Sequence, residues 1–117
     1  MKYLCLAYGA ERDWNALPRA EQDALLARDE VLRWRGDLVA AVQDRPMTLR
    51  AWSGDPEVTA SPFASSDVPL AGFGIIEAGS LAEVVQLLEG TPCARARGAI
   101  EIRAIAAMNE WRSGGVE

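Results

Sequence analysis

Residues 60–76, ASPFASSDVPLAGFGII, decide how this chain is read. The stretch holds two prolines, three serines and one aspartate, then Gly72 and Gly74 flanking Phe73, then an apolar run. Ser61-Pro62 and Val68-Pro69 push the backbone out of the α region, so the first half is a turn-rich link. Gly72 to Glu77 reads as a strand, with Phe73 on one side and the two glycines on the other. Glycines there weaken a strand but let a backbone, a partner or a ligand come close. A turn-rich segment running into a strand is where a cleft is expected.

Outward from this stretch the chain alternates between strands and helices. Lys2 to Tyr8, KYLCLAY, is rich in branched and aromatic side chains and reads as a central strand ended by Gly9. Glu11 to Leu17 reads as a loop carrying Trp14. Pro18 fits a first helical position. The helix it opens runs to about Arg35, with Ala24, Ala27, Val31 and Trp34 as its apolar stripe, widened by Leu25 and Leu32. Glu21, Asp23, Arg28, Asp29, Glu30 and Arg33 read as its solvated positions. Asp37 to Val42 and Met47 to Trp52 read as short strands pairing antiparallel, and Glu57 to Thr59 resumes strand after a turn. Ser80-Leu-Ala-Glu83 is a capping box opening a helix with Leu81, Val84, Val85 and Leu88 on one face, stopped by Gly90 and Pro92. Ala99 to Ile105 alternates as a half-buried strand. Ala106 to Arg112 adds a helical turn with Met108 and Trp111 packing back, and Ser113 to Glu117 frays.

The order β-α-β-β-link-β-α-β predicts one α+β domain over residues 1–112 with a frayed tail at 113–117. Two main helices cover one face of an antiparallel sheet, and the other face is left for solvent or a second copy of the sheet.

Composition bounds the function. Twelve Lys and Arg against seventeen Asp and Glu give a net charge of -5 with no basic patch, which disfavours a nucleic-acid partner. No apolar run approaches the ~20 residues that span a bilayer. Two separated cysteines form no disulfide framework, and with no secretory segment in view the expected location is cytoplasmic. Cys5, in an apolar run, reads as a buried thiol. The sequence has no histidine, so Ser-His-Asp and Cys-His catalysis and His-based zinc patterns are excluded for a single chain. No metal and no cofactor are expected.

The strand opening K-Y-L-x-L-x-Y, the loop Val58-Thr59-Ala60-Ser61-Pro62-Phe63, the Gly72-Phe73 step and the ending Gly98-Ala-Ile-Glu101-Ile-Arg103 together resemble the YCII-related family, across about residues 2 to 105. The resemblance implies a ferredoxin-like plait pairing as a homodimeric α/β barrel, whose facing sheets line a cleft with the Pro62-Phe63 loop at its mouth. The chain departs from the family pattern at several places. Ala60 and Ser61 stand where the signature has Asp-Gly, Asp67 and Val68 where Lys and Glu are usual, and Ala104 where a Pro is usual. A His–Asp dyad proposed for some members has no counterpart here.

The candidate cleft-lining residues are Tyr8, Ser61, Phe63, Asp67, Phe73, Glu101 and Arg103. Glu101 and Arg103, two apart, share one strand face. They read either as a carboxylate-guanidinium pair serving a ligand or as a structural pair fixing register. Asp67 reads as a turn residue or as a base, and the serines lack an activating base. Arg95, Arg97 and Arg103 form the one basic grouping, for a small anion or as charge balance. Tyr8, Trp52, Phe63, Phe73 and Trp111 read as core or interface aromatics, with Phe63 the exception; of the two tryptophans at the first helix, Trp34 reads as packing and Trp14, in a polar loop, is the better candidate for a ligand or protein contact. Three functions follow: a small homodimeric binding or structural domain with a modest cleft for a small organic ligand; a small cofactor-independent enzyme, of mono-oxygenase, isomerase or lyase type, using Arg103 and Glu101; or an accessory protein-interaction regulator.

Overall fold

The computed structural model describes residues 1–108. The elements are β1 (Lys2–Tyr8), α1 (Glu11–Asn15), α2 (Arg19–Trp34), β2 (Leu38–Ala41), β3 (Thr48–Arg50), β4 (Glu57–Thr59), β5 (Leu70–Glu77), α3 (Leu81–Leu88), α4 (Pro92–Arg95) and β6 (Ala99–Ala104). Strands β2-β5-β1-β6 form one sheet, antiparallel throughout, and β3-β4 form a separate antiparallel hairpin. The four-strand order is that of a β-α-β-β-α-β plait. The helical turn read at Ala106 to Arg112 and the tail at 113–117 fall largely or wholly outside the described residues.

The expectation of two helices on a barrel-forming sheet is corrected. The described residues hold four helices, and the sheet is open, ending at β2 and β6 with no barrel closed. The segment read as a loop after β1 is helix α1, whose first turn carries Glu11 and Asp13, acids that favour a helix N-terminus. Pro92 does not merely stop α3; it sits in the first turn of α4. The strand pairing also differs from the reading above. β2 pairs with β5, from Leu38↔Ile75 to Ala41↔Gly72, while β3 pairs with β4. Residues 43–47 lead the chain away from the sheet, and Thr48 Oγ1 donates to the Ser61 carbonyl at 2.6 Å across the base of the hairpin.

Packing on the helix side uses alternation. Tyr3, Cys5 and Ile76 point one way with Leu32, Ala78, Val84 and Leu88 to make the core, in which Ile76 and Val84 are fully buried. Val39, Ile100 and Ile102 complete it from the flanking strands. The capping box forms at α3, with Glu83 N donating to Ser80 Oγ at 3.2 Å and Glu83 Oε2 accepting from Gly79 N at 2.8 Å. The stripe read on α2 is corrected in register. Leu25 and Leu32 are buried, whereas Val31 is 40% and Trp34 82% exposed. The two leucines, seven apart, put the larger apolar faces on the sheet, and the Ala24-Ala27-Val31-Trp34 stripe turns outward. At the C-terminal end of α2, Asp37 accepts from Arg35 Nε at 2.9 Å and from Glu77 N at 3.4 Å, while Arg35 Nη2 donates to the Glu77 carbonyl at 2.8 Å. That knot fixes α2 above β5.

On the other face lie Leu4, Leu6, Tyr8, Phe73 and Ile75, half-buried, with Glu101 and Arg103 of β6 opposite Leu6 and Leu4. No helix among the described residues is long and apolar enough to cross a membrane.

Candidate functional site: a cleft on the helix side

Strand β5 carries Gly72 and Gly74 on its helix-facing side, next to Ala7 of β1 and Ala41 of β2. A Cβ at Gly72 would lie 2.5 Å from the Ala40 carbonyl oxygen, so glycine is required by the approach of β2. The same absence of side chains leaves a hollow beneath α2. Its volume is about 200 Å³, and Cys5, Ala7, Leu32, Val39, Leu88 and Ile100 are among its walls. An apolar cavity of roughly 150 Å³ takes up benzene, so this inner chamber has room for one ring.

Two ionisable side chains of α2 border the chamber, Asp29 and Arg33. Spaced four apart on one helix face, they meet with Arg33 Nη1 donating to Asp29 Oδ2 at 3.1 Å, and Arg33 also reaches Glu30 Oε2 at 3.3 Å. The Asp29 side chain is 24% exposed, so it is held at the rim rather than in bulk water. The Thr91 hydroxyl is committed to the Leu88 carbonyl at 2.6 Å.

A second, outer chamber of about 370 Å³ adjoins the first and shares Ala71, Pro92 and Cys93 with it. It lies where β1 and β2 end and β5 begins, closed by α1 and α4, and is bordered by Gly9, Glu11, Trp14, Val42, Asp44 and Leu70. The carbonyl of Trp14 accepts from Gln22 Nε2 at 2.8 Å, which ties α1 to α2.

Both thiols face this cleft. Burial pushes Cys5 up to about 11, with the negative charge of Asp37 adding to it. Cys93 is also raised, first by burial and then by Asp29. The reactive species is the thiolate, so these are walls rather than nucleophiles. Iodoacetamide should alkylate Cys5 in the folded protein at pH 8 about 100-fold more slowly than a free cysteine, from the thiolate fraction alone. Mass spectrometry over a time course reads this, and a rate equal to that of free cysteine would refute it.

The residues singled out in the sequence are dispersed. Phe73 lies on the open sheet face with Leu6, and it meets the inner chamber only as part of the β5 floor between Gly72 and Gly74. Phe63, 77% exposed, borders a shallow depression on the β3-β4 arm, where the Arg50 guanidinium lies 5.5 Å from its ring and 5.9 Å from that of Trp52. Ser61 and Asp67 are exposed in the link between β4 and β5, and Tyr8 lies on the open sheet face. Glu101 and Arg103 pair with each other at 2.5 Å on that same face. Arg95 ends α4, Arg97 holds a left-handed turn with φ 58°, and with Arg103 they border none of the three depressions described. Asp29, Arg33, Glu11 and Asp44 were not read as site residues. The signal for Asp29 was its place between Leu25 and Leu32 on one helix face. The described residues include no group of three or more His, Cys, Asp or Glu that could hold a metal ion.

The described residues form an open α+β plait with one four-stranded antiparallel sheet. The YCII-related domain matches residues 1–109, and the chain belongs to that family. No curated protein matches it. Among solved structures, it is similar to 5-chloro-2-hydroxyhydroquinone dehydrochlorinase (TftG) from Burkholderia phenoliruptrix AC1100, in complex with 2,5-dihydroxybenzoquinone. The identity is 20%, the TM-score 0.46, and the match covers 90% of this chain and 93% of that one.

Proposed function

We propose that this YCII-related protein is a small cofactor-independent enzyme that transfers a proton on a small organic molecule held in the helix-side cleft. One observation carries the reading: a carboxylate and a guanidinium, 3.1 Å apart, stand together at the rim of an apolar chamber of about 200 Å³. The chamber takes the apolar body of the ligand. Asp29 accepts a proton from a hydroxyl or from a C–H next to a carbonyl, and Arg33 stabilises the enolate or phenolate oxygen that results. The proton returns from Asp29 to another atom of the same molecule, so no oxidant, metal or cofactor is consumed. Glu101 and Arg103, paired on the open sheet face, are not assigned a part in this chemistry.

The test uses phenylacetone, which offers one ring and a weakly acidic C–H. In D₂O, proton NMR follows loss of the C–H signal. The protein should accelerate exchange, and Asp29→Asn should lower that acceleration about 100-fold or more, the usual share of a general base, with the thermal shift given by the ligand retained. Equal exchange by the parent and Asp29→Asn would remove Asp29 from the role.

A further inference from the structure

The inner chamber is bordered by one base and one strong donor. Its ionisable side chains are Asp29, Arg33 and the thiols of Cys5 and Cys93, and both thiols are held protonated by burial. The Thr91 hydroxyl is already given to the Leu88 carbonyl. Asp29 Oδ2 and Arg33 Nη1 meet at 3.1 Å. A base and a donor in contact serve two neighbouring points of a ligand. The carbon that loses its proton is therefore bonded to the carbon whose oxygen takes the charge. With one base, the proton that Asp29 takes is also the proton it gives back. Tethered to Arg33, Asp29 reaches no further than the next carbon, the carbonyl carbon itself. That carbon accepts a proton when the carbonyl is rebuilt on its neighbour, and the neighbour must then carry a hydroxyl.

Charge narrows the class further. The Arg33 guanidinium is shared between two carboxylates, Asp29 at 3.1 Å and Glu30 at 3.3 Å. No other Lys or Arg among the described residues borders the chamber. A carboxylate or phosphate on the ligand would meet a rim with more negative than positive charge, so the ligand is neutral.

We propose that the substrate is a neutral α-hydroxycarbonyl compound carrying one apolar ring, and that the protein interconverts its hydroxyaldehyde and hydroxyketone forms. This rests on the Asp29–Arg33 reading above and names its substrate class. With mandelaldehyde, the phenyl ring enters the chamber and the two oxygens stay at the rim. Asp29 takes the proton from the ring-bearing carbon, a carbon–carbon double bond forms, and the aldehyde oxygen becomes an enolate oxygen facing Arg33. The hydroxyl proton passes to that oxygen across the enediolate and leaves the charge on the other oxygen. Asp29 then returns its proton to the former aldehyde carbon as the second oxygen closes to a ketone. The ring-bearing carbon is oxidised and its neighbour reduced within one molecule. The product is α-hydroxyacetophenone, and no outside oxidant or reductant is used.

Ultraviolet absorbance of the aryl ketone follows conversion of mandelaldehyde by the full chain. The protein should accelerate it, and Asp29→Asn, shown folded by circular dichroism, should lower the acceleration about 100-fold or more. Phenylacetone should inhibit at least about 10-fold more strongly than phenylacetate, and Glu30→Gln should narrow that gap. No conversion by a protein that still exchanges phenylacetone in D₂O overturns the hydroxycarbonyl class and leaves the proton transfer standing. Neither conversion nor exchange overturns both. Conversion at the parent rate in Asp29→Asn overturns the single-base route. Phenylacetate inhibiting as strongly as phenylacetone overturns the neutral ligand.

Discussion

Gly98→Ala should destabilise the protein by about 3 kcal/mol or more, the upper end of what overpacking costs. A Cβ at Gly98 would lie 2.0 Å from the Tyr8 carbonyl oxygen and 2.5 Å from that of Cys93. Both obstacles are backbone, so no rotamer change relieves them. Tyr8 ends β1, and Cys93 is one of the three residues that border both chambers. The substitution must therefore push α4 away from the sheet or break the start of β6, and ligand binding should fall with stability. Gly79→Ala is the contrast. Its nearest neighbour is the movable carboxylate of Glu83 at 3.2 Å, and a surface change of that kind costs about 0.5 kcal/mol. Urea unfolding of both variants reads the difference. A Gly98→Ala protein within about 1 kcal/mol of its parent would show that α4 does not rest on β1 as described.

Ala7→Phe should abolish uptake of phenylacetone, lowering affinity about 100-fold or more, equivalent to roughly 2.8 kcal/mol. Ala7 pairs with Gly72 and borders the inner chamber. A ring attached there occupies the space a ligand ring would use. Overpacking will cost some stability, about 1–3 kcal/mol, so circular dichroism must first confirm that the variant is folded. Ala7→Leu is the smaller step, with a smaller loss of affinity. Glu101→Gln, on the opposite sheet face, should leave binding at the parent value. Unchanged affinity in a folded Ala7→Phe protein would place the ligand elsewhere.

Much of the architecture was legible in the sequence because it depends on local signals. The Ser80–Glu83 capping box, the alternation of Ala99 to Ile105 and the split of Phe73 from Gly72 and Gly74 each appear in the structure. What depends on distant contacts was not legible. β2 could pair with β3 through a short link, yet it pairs with β5, a choice made by the sheet and not by the turn. α2 offers two apolar stripes, and the company of Ile76 and Leu88 decides that Leu32 faces inward, with Leu25 buried two turns earlier on the same stripe. That choice also decides the site. In the sequence pattern Asp29 is one more solvated acid, and only the burial of Leu25 and Leu32 on its face of α2 sets it at the cleft rim. The turn-rich stretch at 60–76 contributes Ala71 to Gly74 as the cleft floor, whereas Pro62 and Phe63 went out along the hairpin arm. The barrel was an expectation about a second sheet, and a four-stranded sheet open at β2 and β6 does not bear it out.

The most direct test of the helix-side cleft is an amide NMR titration of the ¹⁵N-labelled protein with phenylacetone. Saturable shifts should gather at Asp29, Arg33, Gly72, Gly74 and Cys93, with Leu4, Leu6, Glu101 and Arg103 unmoved. Shifts confined to those last four residues, or no saturable shift at millimolar ligand, would contradict the cleft as the site of function.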